Sequence, residues 1–130
     1  MENVPLDRIR IRQLTARTFV GFNDWEREKK QDVAISVTLH ADLRRACETD
    51  QVGDTVDYKT IKNRILSLVE GSRFLLIEAM AEGIARVCLE DPRVVRVDVV
   101  VDKLSALRFA KSVQVEITRV REPEAAPSDQ

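Results

Sequence analysis

Four side chains in this sequence are of types that move protons or hold a polar ligand, and they stand where a fold could use them. Lys103 follows a run, Val94 to Val101, that is nearly continuous valine, so its amine sits at the end of an apolar strand. An amine in such surroundings can have its pKa lowered towards neutrality and trade protons. Tyr58, the only tyrosine, follows Asp57 at the start of a helical pattern, and a phenol can both donate and accept. Glu78 follows Leu75-Leu76-Ile77 in the first turn of a second helical pattern. There the helix dipole favours the ionised carboxylate, which can accept two parallel donors at once. Glu26 lies in a charged stretch beside Asp24 and Glu28. Each also has a plain alternative: a solvated lysine closing a strand, an amphipathic helix start, a first-turn surface glutamate, a solvated run of charge. Residue type by itself leaves these alternatives open.

Composition narrows the frame. A chain of 130 residues makes one domain with room for a real core. Apolar residues at 44% and charged residues at 33% are globular proportions rather than those of a disordered or membrane chain. A net charge of −1 gives no bulk attraction to nucleic acid or to an anionic membrane. Aromatics at 5% are too few for a base-stacking platform. No apolar run approaches the ~18 residues of a membrane span. The first residues are broken by Asp7, Arg8, Arg10 and Arg12, which is unlike a secretion signal. Cys47 and Cys88 form no CxxC pair, which suits a reducing, cytoplasmic compartment with two buried thiols. With His40 as the only histidine, a zinc site of nitrogen and sulfur ligands is not expected, and the chemistry is expected to need no metal.

The elements that must position these groups are legible from their periods. Ile9, Ile11 and Leu14 alternate with Arg8, Arg10 and Arg12 in a strand with one wet face. Val33, Ile35, Val37, Leu39 and Ala41 alternate with Ala34, Ser36, Thr38 and His40 in the clearest strand. Between them Val20 to Gln31 is a charged loop with a glycine hinge, long enough to be functional. The period then changes. Ile61, Ile65, Leu68 and Val69 predict a helix of about three turns ending near Gly71. Ile77, Met80, Ala81, Ile84, Val87 and Cys88 predict a second, stopped by Asp91-Pro92. Val94–Val101 reads as a buried strand, and Val113, Val115 and Ile117 mark the last. Residues 1–121 make the domain, and 122–130, with two prolines and three acids, read as a disordered tail. The order strand, strand, helix, helix, strand, strand implies an α+β fold, a four-stranded antiparallel sheet with both helices on one face. That leaves a second sheet face and two edges without cover, which edge-to-edge joining of subunits into a barrel would solve. A monomer with a polar second face, carrying Ser36, Thr38 and His40, is the alternative.

Four segments on this pattern resemble the dihydroneopterin aldolase/epimerase family: Gly21-Phe-Asn-Asp-Trp-Glu-Arg-Glu28 with Gln31-Asp32, Asp54-Thr-Val-Asp-Tyr58, Phe74-Leu-Leu-Ile-Glu78 with Ala81-Glu82, and Asp102-Lys-Leu-Ser-Ala-Leu-Arg-Phe-Ala-Lys-Ser-Val113. The resemblance covers about Ile9 to Arg119 and implies the tunnelling fold, with subunits joined into a β-barrel ring. Members commonly form octamers of two tetrameric rings. It also implies a small-molecule pterin substrate, no cofactor, no metal, and no nucleic-acid or membrane partner. Carried residue by residue, Lys103, Tyr58 and Glu26 match catalytic positions. Glu78 matches the glutamate that anchors the pterin. Ile77, Val56, Asp57 and Phe22 match substrate-binding positions, with 56–58 coming from one subunit and 77–78 from its neighbour. Aldolases usually follow the strand-end lysine with proline. Here Leu104 follows Lys103, as in the branch that epimerises C2′ of 7,8-dihydroneopterin triphosphate, and Arg108 is the implied phosphate contact. Asp24-Trp25-Glu26 occurs among aldolases too. Three readings follow: the epimerase, an aldolase releasing 6-hydroxymethyl-dihydropterin in folate biosynthesis, and a non-catalytic pterin- or purine-binding ring.

Overall fold

Alternation becomes strand and the 3.6 period becomes helix almost where expected. The computed structural model describes residues 5–104 and 107–122. In chain order these form β1 (Asp7–Val20), α1 (Asp24–Glu28), β2 (Gln31–Ala41), α2 (Arg44–Thr49), a 3-10 turn (Val52–Asp54), α3 (Tyr58–Glu70), β3 (Arg73–Phe74), α4 (Ile77–Leu89), β4 (Arg96–Lys103) and β5 (Val113–Val120). The sheet order is β3-β1-β2-β4-β5. The four long strands pair antiparallel, and β3 runs parallel to the end of β1 through Phe19↔Arg73 and Val20↔Phe74.

The sheet face towards the helices is the core. Val33, Ile35, Val37 and Leu39 of β2 and Val97, Val99 and Val101 of β4 are buried with Ile61, Ile65 and Val69 of α3 and Met80, Ile84 and Cys88 of α4. β1 keeps its apolar residues on this face only by a bulge. Ile11 pairs with Val37 and Leu14 with Ile35, so one extra residue enters β1, with Gln13 at φ 56°. That residue resets the alternation, so Leu14 and Ala16 remain on the core side. The opposite face is polar. His40 Nε2 lies 2.8 Å from Asp98 Oδ2, Thr118 donates to Asp98 at 2.7 Å, and Gln114 donates to Asp102 at 2.7 Å. His40 and Asp102 are buried on it.

Several expectations are corrected. The Val20–Gln31 loop contains α1, and a fifth, two-residue strand joins the sheet edge. The valine-rich strand spans Arg96–Lys103, with Val94 buried just ahead of it and Val95 exposed. Cys47 is exposed on α2 because it sits on no apolar stripe. Cys88 is buried, and burial followed by the charge of Glu90 pushes its thiol up to about 12. The tail from residue 123 lies outside the described residues. Among the described residues no helix is long and apolar enough to cross a membrane.

Candidate functional site

A cleft of about 400 Å³ opens where the ends of β1 and β4 meet the start of α4. Gly21, Phe22, Asn23 and Glu26 line one side, Leu75, Leu76, Ile77 and Glu78 another, and Lys103, Leu107 and Val113 a third. Lys103 is the last residue of β4, on the same face as Val99 and Val101 and opposite Val33 of β2. Its ammonium is paired with the Glu26 carboxylate, and both side chains are nearly buried, at 13% and 4% exposure.

Glu26 owes its place to three local devices. Asn23 precedes α1, and its backbone N–H (3.2 Å) and side-chain amide (3.0 Å) both donate to Glu26 Oε1. Asparagine three residues before glutamate is a helix-start signal. Gly21 adopts φ +121°, and a Cβ there would overlap the Glu26 carboxylate, so only glycine leaves the space. Gln31 then ties the base of the excursion by donating to the Val20 carbonyl at 2.7 Å. Burial by itself would raise the Glu26 carboxyl. The hydrogen bond from Lys103, those from Asn23 and the lysine's charge outweigh it and hold Glu26 below the ordinary glutamate range.

Glu78 is the second residue of α4, exposed, on the wall of the cleft. No side chain caps this helix, so an anion in the first turn is favoured by the dipole and stays available to a ligand. Ile77 is buried beneath it, and Phe22 is 69% exposed.

Phe22, Glu26, Ile77, Glu78 and Lys103 are thus brought together in one chain. Four expected residues are not. Tyr58, the first residue of α3, is 57% exposed and does not line the cleft. Asp57 caps α3, accepting from the Thr60 N–H at 3.1 Å and its hydroxyl at 2.8 Å. It borders a separate hollow with Arg64 and Arg93. Val56 has no accessible surface. In this chain it packs in the core, away from the cleft. Arg108 stands with its guanidinium 5.3 Å from the Phe109 ring centroid; its neighbour Leu107 lines the cleft in its place. The periodicities gave no hint of Asn23, Leu75, Leu76 or Leu107, and marked Val113 only as the start of the last strand. Asn23-x-x-Glu26 carried a signal; the others depend on which chain ends the sheet brings together.

Comparisons with known proteins place the whole chain in one family. The dihydroneopterin aldolase family model matches residues 9–118. The chain is 40% identical over 108 residues to a dihydroneopterin triphosphate 2′-epimerase of Pseudomonas aeruginosa, covering 83% of this chain and 88% of that protein. It is 33% identical over 114 residues to the dihydroneopterin aldolase of Escherichia coli K12, covering 88% and 93%. The crystal structure of E. coli dihydroneopterin aldolase in complex with neopterin superposes with a TM-score of 0.83 at 34% identity, covering 87% of this chain and 98% of that one. The chain belongs to the dihydroneopterin aldolase family.

Proposed function

We propose that this chain inverts C2′ of 7,8-dihydroneopterin triphosphate by breaking and remaking the C1′–C2′ bond. The observation that carries the reading is the nearly buried Lys103–Glu26 pair in the same cleft as the exposed carboxylate of Glu78. Glu78 accepts the 2-amino and adjacent ring N–H groups of the pterin as a two-donor fork. This holds the ring so that its side chain lies at Lys103. A base takes the 2′-hydroxyl proton and C2′ becomes an aldehyde carbon. The C1′–C2′ electron pair moves to C1′–C6, and the N5=C6 imine takes up a proton at N5 as an enamine. Lys103, oriented by Glu26, and Tyr58 trade these two protons. If the aldehyde turns over before the bond reforms, C2′ is inverted; if it leaves, the enamine takes a proton at C1′ and gives up the one at N5, and the product is 6-hydroxymethyl-dihydropterin.

Tyr58 lies outside its own chain's cleft, which supports a site shared between subunits, with Asp57 and Tyr58 reaching the neighbour's Glu78. Val56 would serve by anchoring them in the core. We infer a ring assembly, an octamer of two tetrameric rings. Leu104 after Lys103 favours inversion over release. Arg108 is the leading phosphate contact, reached by swinging from Phe109 towards Leu107. Incubation with dihydroneopterin and, separately, its triphosphate, followed by chromatography, tests the reading. The monapterin triphosphate epimer should dominate. Rapid 6-hydroxymethyl-dihydropterin release from the unphosphorylated compound would make the chain an aldolase. No reaction with either would leave a pterin-binding ring.

A further inference from the structure

Arg27 follows Glu26 on α1 and is bonded almost entirely to backbone. Its Nη1 donates to the carbonyls of Gly21 (3.0 Å) and Phe74 (3.3 Å), and its Nη2 to the carbonyl of Arg73 (3.1 Å). In return Arg73 Nη1 donates to the Arg27 carbonyl at 3.1 Å, and the Arg73 guanidinium lies 3.9 Å from the Phe19 ring centroid. The Gly21 N–H also donates to the Phe74 carbonyl at 3.0 Å. These bonds join the corner that carries Glu26 to β3, whose next residues, Leu75 to Glu78, are the opposite wall of the cleft. α1 has five residues and β3 has two, too few for either to hold itself in place by its own ladder. A planar fork can reach three carbonyls, whereas a lysine ammonium cannot reproduce that geometry.

We propose that Arg27 is a positioning residue for the reaction: its guanidinium fixes α1 against β3 and so holds Glu26 on Lys103. This rests on the function proposed above. If the guanidinium is lost, α1 lifts and Glu26 leaves the lysine, while Glu78, on α4, keeps the pterin.

The test uses Arg27→Ala and Arg27→Lys in the full chain. Each should lose about 10²-fold in kcat, the scale of a 1 Å misplacement, with pterin affinity near wild type. Millimolar guanidinium should restore part of the turnover of Arg27→Ala but none of that of Lys103→Ala. Independently of activity, carbon-13 NMR of glutamate-labelled protein should show the Glu26 titration moving up into the ordinary range in both variants. If Arg27→Ala does not fold, Arg27→Lys carries the same readouts. Wild-type kcat in a variant of an active enzyme, or an unmoved Glu26 titration, overturns the proposal. If the wild-type chain turns over no pterin, the proposed function fails and the Glu26 titration alone decides whether the clamp exists.

Discussion

The corner around α1 and the start of α3 are built from similar parts and end in opposite states. Both begin a helix behind a polar residue, Asn23 in one and Asp57 in the other, and both carry a group with a part in the proposed reaction, Glu26 orienting Lys103 and Tyr58 moving a proton. At α1 the side chain that matters, Glu26, is buried and held by Asn23, by the space at Gly21 and by Lys103 from a different strand. At α3 the cap bonds only to Thr60 within its own first turn, and Tyr58 stays exposed. One half of the proposed site is therefore finished by tertiary contacts inside the chain. The other half is presented outwards, where a neighbouring copy could use it.

The sharpest test of that contrast is mixing. Lys103→Ala should lower turnover by about 10²- to 10⁴-fold, the range for a positioned acid–base group, with pterin binding retained. It should also destabilise the chain by about 3 kcal/mol at neutral pH, because Glu26 is left buried and unpaired. Tyr58→Phe should lose turnover and almost no stability. Refolded together, the two inactive chains should regain about a quarter of wild-type activity if each site draws on two subunits. No recovery would confine the site to one chain.

Gly21→Ala comes next. The strained φ alone costs about 2 kcal/mol, and the added methyl must push Glu26 aside. Both the urea midpoint and kcat should fall; an unchanged kcat would mean the Glu26 position is not needed. Glu78→Ala should weaken pterin binding by more than about 1.5 kcal/mol in a fluorescence titration, with the melting temperature unmoved because the side chain is exposed. Equal binding would remove Glu78 from the site.

The smallest effect is in the pH dependence of stability. Glu26 binds its proton less readily folded than unfolded. Its contribution is complete above the ordinary glutamate range and drains away as pH falls through that range towards the lowered folded value. Denaturation of wild type and Glu26→Gln from about pH 6 down to about pH 3 should show the difference between them shrinking with acid. A constant difference would mean the carboxylate is not held ionised by Lys103.

Much of this architecture is legible in the residues. The alternation from Val33 to Ala41 and the stripe from Ile77 to Cys88 become the strand and helix they predict, because one apolar face per element has only one place to go. The bulge at Gln13 is not legible, since it depends on which residues of β2 lie opposite. Nor is α1 visible to a 3.6-period reading. Five residues with Trp25 exposed and Glu26 buried make no apolar stripe, and the helix is held by side chains reaching Gly21, β3 and β4.

By itself, then, the sequence determined the fold class, the two long helices and four long strands, and a short set of polar candidates, because these follow from local period and residue type. It also placed Lys103 at a strand end and Glu78 in a first turn. Only the tertiary structure brought Glu26, the acid the family resemblance singles out from Asp24 and Glu28, onto Lys103, and left Tyr58 and Arg108 outside that cleft. The reason is that a charge becomes a site only where separate chain segments exclude water around it together. Which segments meet is set by sheet register and by the turn at Gly21, not by neighbours in sequence.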